Sequence, residues 1–120
     1  MSYFAKKFSN GPKFTFNSDE LPFISLDDFV KDNGNKQFVV KAVFVHSKGK
    51  KFYPAVVSSS YKIWLPNHML KVVNAILDDP EAINLINAGK CAFLPRQYEK
   101  TDEYAGTYNT GDFIDNEWYN

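Results

Sequence analysis

Apolar residues run almost without a break through positions 37–47, and both parities carry them. Phe38, Val40, Ala42 and Phe44 fall on one side, and Val39, Val43 and Val45 on the other. A strand with two apolar faces is covered on both, or passes from one environment to another through a bend, as in a small barrel. Lys48-Gly49-Lys50-Lys51 then reads as a tight basic turn, with residues 52–57 returning as the second arm of a hairpin. Pro54 lacks an N–H, so it predicts an edge or a bulge near the start of that arm. After Ser58-Ser59-Ser60, residues 61–65 alternate, with Tyr61, Ile63 and Leu65 on one side and Lys62 and Trp64 on the other. Burying the first side leaves a lysine and a tryptophan two residues apart on the open one.

The spacing then changes to helical. Met69, Leu70, Val72, Val73, Ile76 and Leu77 predict a helix over 68–77, with Asn67 as its cap after Pro66. Asp79 caps a second helix with Pro80 in its first position, and Ala88-Gly89 closes it. The apolar stripes of this pair are expected to plug the core. Earlier in the chain, Ser25 with Asp28 three residues on predicts a short helix stopped at Asn33-Gly34. Residues 90–100 return to strand. A turn-rich connection follows over 99–104, and the last strand, 104–114, is interrupted by Gly106 and Gly111. Residues 1–22 read as an irregular or edge segment with a turn at Asn10-Gly11-Pro12. Phe14 and Phe16 have the spacing of a short strand. The segment either forms a basic aromatic arm that touches nucleic acid or a second subunit, or caps one end of the core.

Three strands, a helical region and two more strands give the order β-β-β-α-β-β. That is the order of the OB-fold, a five-stranded Greek-key barrel whose second and third strands and flanking loops bind single strands. The expected fold is therefore mainly β with helices: an OB-like core over 23–115, an N-terminal extension over 1–22 and an acidic aromatic tail over 116–120. The loops expected to flank the ligand are 47–51 and 95–103.

Length and composition fit this reading. The 120 residues suffice for one domain, and 44% apolar with 17% aromatic content suffices for a packed core. A single cysteine, Cys91, excludes an internal disulfide and fits a reducing compartment. Residues 1–13 lack the apolar core of a secretory signal, and no run reaches the roughly 18 apolar residues of a membrane span. A soluble intracellular protein is expected. The 14 basic and 14 acidic residues balance, but they are segregated. Residues 33–77 carry Lys36, Lys41, Lys48, Lys50, Lys51, Lys62 and Lys71 and no acid. Residues 78–120 carry nine acids against Lys90, Arg96 and Lys100. One positive face follows if the fold keeps these segments apart.

Lysines interleaved with aromatics on strands suit a surface that neutralises phosphates while rings stack on bases. The candidate nucleic-acid-binding residues are Lys41, Lys48, Lys50, Lys51, Tyr53, Lys62, Trp64, Arg96 and Tyr98. Catalytic chemistry has little support. His46 and His68 have no cysteine or carboxylate at metal-ligand spacing. Asp78-Asp79 and Asp102-Glu103 suit a helix cap and a solvated turn, and residues 48–51 lack the flanking pattern of a phosphate-binding nucleotide loop. No enzyme activity, metal or cofactor is expected. A second reading makes the exposed aromatics a protein–protein interface with lysines at its rim, as in a replication adaptor or a host-defence inhibitor.

The strand Phe38-Val39-Val40-Lys41-Ala42-Val43-Phe44, then Val56-Val57-Ser58, then Tyr61-Lys62-Ile63-Trp64-Leu65-Pro66, and the two-part helix through Asn87-Ala88-Gly89 carry a family resemblance. Residues 37–89 resemble the small single-stranded-DNA-binding proteins of lactococcal and related Gram-positive tailed phages. The resemblance implies an OB-like barrel that binds single-stranded DNA with little sequence preference in the host cytoplasm. It also implies a role in phage DNA replication or recombination, with the proteins of those processes as partners. The aromatic N-terminal arm is compatible with a homodimer. Asp112 to Asn120 is loosely similar to the acidic partner-recruiting tails of bacterial functional relatives, but ends in Trp118-Tyr119-Asn120.

Overall fold

The apolar run that dominates the sequence forms a single bent course shared by two sheets. The computed structural model describes residues 14–101 and 105–116. Within them the elements are β1 (Phe23–Ser25), α1 (Leu26–Asn33), β2 (Phe38–Val39), β3 (Ala42–Lys48), β4 (Lys51–Val57), β5 (Lys62–Trp64), α2 (Leu70–Leu77), α3 (Pro80–Asn87), β6 (Cys91–Lys100) and β7 (Gly106–Asp115). One sheet has the order β1-β5-β4-β3 and the other β2-β6-β7. The bend lies at Val40-Lys41. The Val40 N–H donates to the Cys91 carbonyl at 2.9 Å, while the next N–H, on Lys41, donates to the Val57 carbonyl at 2.8 Å. Two consecutive donors thus serve two different sheets, which explains why both parities of the run are apolar.

The core lies between the sheets and the helices. Val40, Val43, Val56, Ile63, Val73 and Phe93 are fully or almost fully buried. Helix α2 packs on β3 and β4, and α3 packs on α2. Ser25 caps α1 as predicted, its Oγ accepting from the Asp28 N–H at 3.1 Å. Asp79 caps α3, with Pro80 in its first turn. At the centre of the second sheet, Phe93 stands edge-on to Phe113 at 5.2 Å and beside Phe38 at 5.5 Å. No helix among the described residues is long and apolar enough to cross a membrane.

Several expectations are corrected. The strands do not close into a barrel: among the described residues β7 does not pair with β5. The free edge of β5 is taken by β1, which runs parallel to it and pairs Phe23 with Lys62. The Lys62 N–H donates to the Pro22 carbonyl at 2.9 Å, so this edge is already satisfied. Pro54 forms no bulge: it lies buried opposite Val45 in β4, just beyond the end of the β4–β5 ladder at Ala55–Trp64, so the start of β4 is an edge on that flank, as expected. Its carbonyl accepts from the Leu65 N–H at 2.9 Å. In an antiparallel pair a residue's N–H and C=O face the same neighbour, so the donor that Pro54 lacks would face the Leu65 carbonyl, and the β4–β5 ladder stops there with one bond in place of two. Asn67 does not cap a helix: Asn67–Met69 forms a 3-10 turn that leads into α2 without a side-chain cap. Residues 14–16 form a bend rather than a strand, with Phe14 buried. The segment expected to be a loop over 95–103 is strand as far as Lys100. Asp112 and Asp115 belong to β7, and Asn116, the first residue of the expected tail, is buried, its side chain donating to the Gly89 carbonyl at 2.8 Å. Residues 117–120 lie outside the described ones, as do residues 1–13 of the N-terminal arm and residues 102–104.

Candidate functional site

Residues opposite one another in adjacent strands point to the same side of a sheet, and sides alternate along each strand. The register of the four-stranded sheet therefore gathers one set of side chains on its outer side. Phe44, His46 and Lys48 come from β3, and Tyr53 and Lys51 lie opposite His46 and Lys48 on β4. Trp64 faces Ala55 across the β4–β5 ladder, Lys62 follows at the same parity, and Phe23 on β1 sits beside Lys62. On the inner side Val43, Val56 and Ile63 are sealed in the core. The alternation of residues 61–65 is thus realised: Ile63 is 0% exposed and Leu65 6%, while Lys62 and Trp64 are partly open.

Ala55 makes this aromatic surface continuous. Its methyl lies between Phe44 and Trp64 and does not separate them, so the two rings meet edge to face at 6.0 Å. His46 and Tyr53 approach the indole at 6.0 and 6.3 Å. Phe23 stacks on Trp64 almost in parallel, with centroids 4.7 Å apart and planes 8° apart. The Lys62 ammonium lies 4.2 Å from the centroid of Phe23, a cation–π geometry. Trp64 is therefore the hub of a five-ring cluster rather than a bare platform, and Phe23, 50% exposed, is the cluster's open ring.

Positive charge collects at one end of this surface. Lys48 and Lys51 are directly opposed in the last pair of the β3–β4 hairpin, with Gly49 and Lys50 forming a two-residue turn. Gly49 takes φ 63°, which a two-residue hairpin needs at its first turn position and which glycine adopts without steric cost. Like charges directly opposite each other destabilise a ladder. Among the described residues none of Lys48, Lys50, Lys51 and Lys62 has an ion-pair partner. The hairpin tip thus concentrates uncompensated cations next to exposed aromatic rings, an arrangement that an anion would stabilise.

The remaining candidates lie elsewhere. Lys41 sits at the bend, its ammonium 5.8 Å from the centroid of Phe16. Lys36 follows α1, and Lys71 is exposed on α2. Arg96 and Tyr98 belong to the other sheet. Arg96 is bound to Asp112, Nε to Oδ2 at 2.7 Å. That hydrogen bond and the carboxylate charge raise its pKa further, so its charge is locally matched. Tyr98 stacks on Tyr108 at 5.7 Å and meets His68 edge-on, while His68 Nε2 is 2.7 Å from Thr110 Oγ1. The nine predicted residues thus form one cluster of Lys48, Lys50, Lys51, Tyr53, Lys62 and Trp64, with Lys41 apart and Arg96 and Tyr98 on a second surface. Sequence reasoning missed Phe23, Phe44 and His46. The parity shared by Phe44, His46 and Lys48 carried that signal for two of them. Nothing local marked Phe23, which is placed by a parallel pairing with residues far along the chain.

A cavity of about 650 Å³ on another side of the molecule is lined by Ile76, Leu85, Cys91, Phe113 and Asp115, among others. Burial, with the charge of Asp115 adding to it, pushes the Cys91 thiol from 9.0 up to about 11. Near neutral pH it stays protonated and is a poor nucleophile. Alkylation at pH 8 should therefore be more than about tenfold slower in the folded protein than in the unfolded chain, as followed by mass spectrometry. Because the folded state holds this proton more tightly, its contribution to stability is complete below about pH 9 and is lost as pH rises towards 11. Cys91→Ala should flatten that decline in denaturation curves. Comparison with protein-family models, curated proteins and solved structures finds no match for this chain.

Proposed function

We propose that this protein is a non-catalytic single-stranded-DNA-binding protein of low sequence specificity that acts in phage DNA replication or recombination. One observation carries the proposal: an outer sheet face where five aromatic side chains adjoin four lysines without ion-pair partners among the described residues. A single strand offers evenly spaced phosphates and unpaired bases, and this surface has complementary groups for both. Lys48, Lys50 and Lys51 pair with phosphates, and Lys62 with another. Tyr53 stacks on a base, and Phe23 does so on the face that Lys62 leaves when it turns to a phosphate, while Trp64 holds Phe23 flat from the other side.

The strand order supports an opened OB-type architecture. Counting the bent course as the first strand, the hydrogen-bonded neighbours run third, second, first, fourth, fifth, with helices between the third and fourth. The pairing of third with fifth that would close the barrel is replaced by the added strand β1. The binding face then lies on the second and third strands, where such folds hold single strands.

Fluorescence anisotropy with a labelled oligonucleotide of about 20 residues, at two salt concentrations and against the matching duplex, tests the proposal. Single strands should bind much more tightly than duplex, with affinity falling as salt rises. Trp64→Ala should weaken single-strand binding at least about tenfold, since it removes one ring and releases Phe23. Circular dichroism of the variant separates this from unfolding. Equal affinity for duplex would reduce the surface to a generic basic patch. Absence of salt-dependent binding would leave the aromatic face as a protein-docking surface.

A further inference from the structure

The aromatic face continues into a cavity of about 660 Å³, within the size range of small-molecule sites. Phe23, Phe44 and Lys62 line both the face and the cavity, whose far wall is the segment 14–19. That wall is held in place. The Thr15 N–H donates to Asn87 Oδ1 at 2.9 Å, the Asp19 N–H to Asn17 Oδ1 at 3.0 Å, and the Leu21 N–H to the Ser18 carbonyl at 3.0 Å. Among the described residues the lining contains one cation, Lys62, and one carboxylate, Asp19. Neither has an ion-pair partner among the described residues, so the two do not neutralise each other across the space.

Phenyl rings, an unpaired ammonium and an unpaired carboxylate are the complement of a nucleotide. The rings cover the base faces, the ammonium takes the phosphate, and the carboxylate accepts hydrogen bonds from donors on the base edge. The bases differ in those donors. Guanine presents N1–H and N2–H side by side, matched to the two oxygens of a carboxylate. Adenine and cytosine present one amino group each. Thymine presents a single N–H flanked by two carbonyl oxygens, which a carboxylate repels. We infer that the cavity is a nucleobase pocket that takes one unstacked base of the bound strand and prefers guanine, with Asp19 reading the base edge and Lys62 holding its phosphate. This rests on the proposed single-strand binding and adds to it a compositional bias at one position of the strand.

Two measurements test it. Wild-type protein should bind an oligothymidylate carrying one central guanine about tenfold more tightly than the all-thymine strand. Asp19→Asn should bring that ratio close to one, because the amide offers one acceptor oxygen in place of two. Asp19 is exposed in a turn, so the variant should fold, which circular dichroism checks. In parallel, guanosine monophosphate, titrated into labelled protein, should shift the NMR amide signals of Ser18, Phe23 and Phe44, and thymidine monophosphate should shift them less. Equal binding of the two oligonucleotides by the wild type, or an unchanged ratio in Asp19→Asn, overturns the pocket while leaving single-strand binding in place. Failure of every oligonucleotide to bind overturns the proposed function. In that case selective guanosine monophosphate shifts would uphold the pocket as a free-nucleotide site, and their absence would remove it too.

Discussion

With Lys48, Lys50 and Lys51 replaced together by glutamine, affinity for single-stranded DNA should fall about a hundredfold at about 0.1 M salt and scarcely change near 1 M. Each phosphate neutralised on a single strand contributes roughly −0.7 to the slope of log affinity against log salt, so three contacts contribute about −2.1. Extrapolated from 1 M to 0.1 M, that exponent is about two orders of magnitude. The fold should not suffer. The three side chains are exposed at a hairpin tip, and removing the opposed charges of Lys48 and Lys51 relieves a repulsion. The variant should therefore melt at or slightly above the wild-type temperature while binding far more weakly. If the salt slope stayed at its wild-type value, phosphates would be contacted elsewhere, and Lys41 or the β6–β7 surface would be the next place to look.

Gly111→Ala should be more damaging than alanine at Gly34, Gly49 or Gly106, where an added Cβ meets no atom closer than 3.7 Å. A Cβ at this position would overlap Cζ and Cε1 of Phe93 and stand 2.9 Å from the Leu94 carbonyl oxygen. The Phe93 ring cannot swing aside, because it is 0% exposed and sits between Phe38 and Phe113. Overpacking of this kind costs about 1–3 kcal/mol, and with ring and backbone both in the way the upper end applies. For a domain of this size that is a fall in Tm of about 10 °C, readable by calorimetry. The same substitution in a Phe93→Leu background should cost less, since the smaller side chain vacates the overlap, and the difference measures the coupling. Additive losses would show that the strain arises at the Leu94 carbonyl instead.

Legibility followed the range of the interactions involved. The Lys62/Trp64 pair could be placed on an open face because alternation is local and Ile63 and Leu65 had no alternative but burial. The basic hairpin was equally plain, since Gly49 is the residue that permits a two-residue turn. The Ser25 and Asp79 helix caps were readable from local sequence too, whereas Asn67 was not the cap its position suggested. Phe23 was not. A three-residue strand shows little alternation, and its place beside Trp64 comes from a parallel pairing across some 40 positions of sequence. Arg96 looked like one more cation until its partner, diagonal to it across the β6–β7 hairpin, turned out to be Asp112. Pro54 was legible as an edge marker, since a residue without an N–H cannot return the bond it receives from Leu65 and the β4–β5 ladder stops beside it.

The sequence by itself determined that this is a strand-rich chain with an acid-free, lysine- and aromatic-bearing middle, and which parity of residues 61–65 faces outward. Periodicity and charge order are properties of neighbours along the backbone, so no folding is needed to read them. Only the tertiary structure decided that the strands stay open instead of closing on themselves, that Phe23 joins Trp64, and that Asp19 and Lys62 line one cavity without meeting. Those outcomes depend on which distant edges exchange hydrogen bonds and which rings fill the space between them. Such choices are made among residues that share no local pattern.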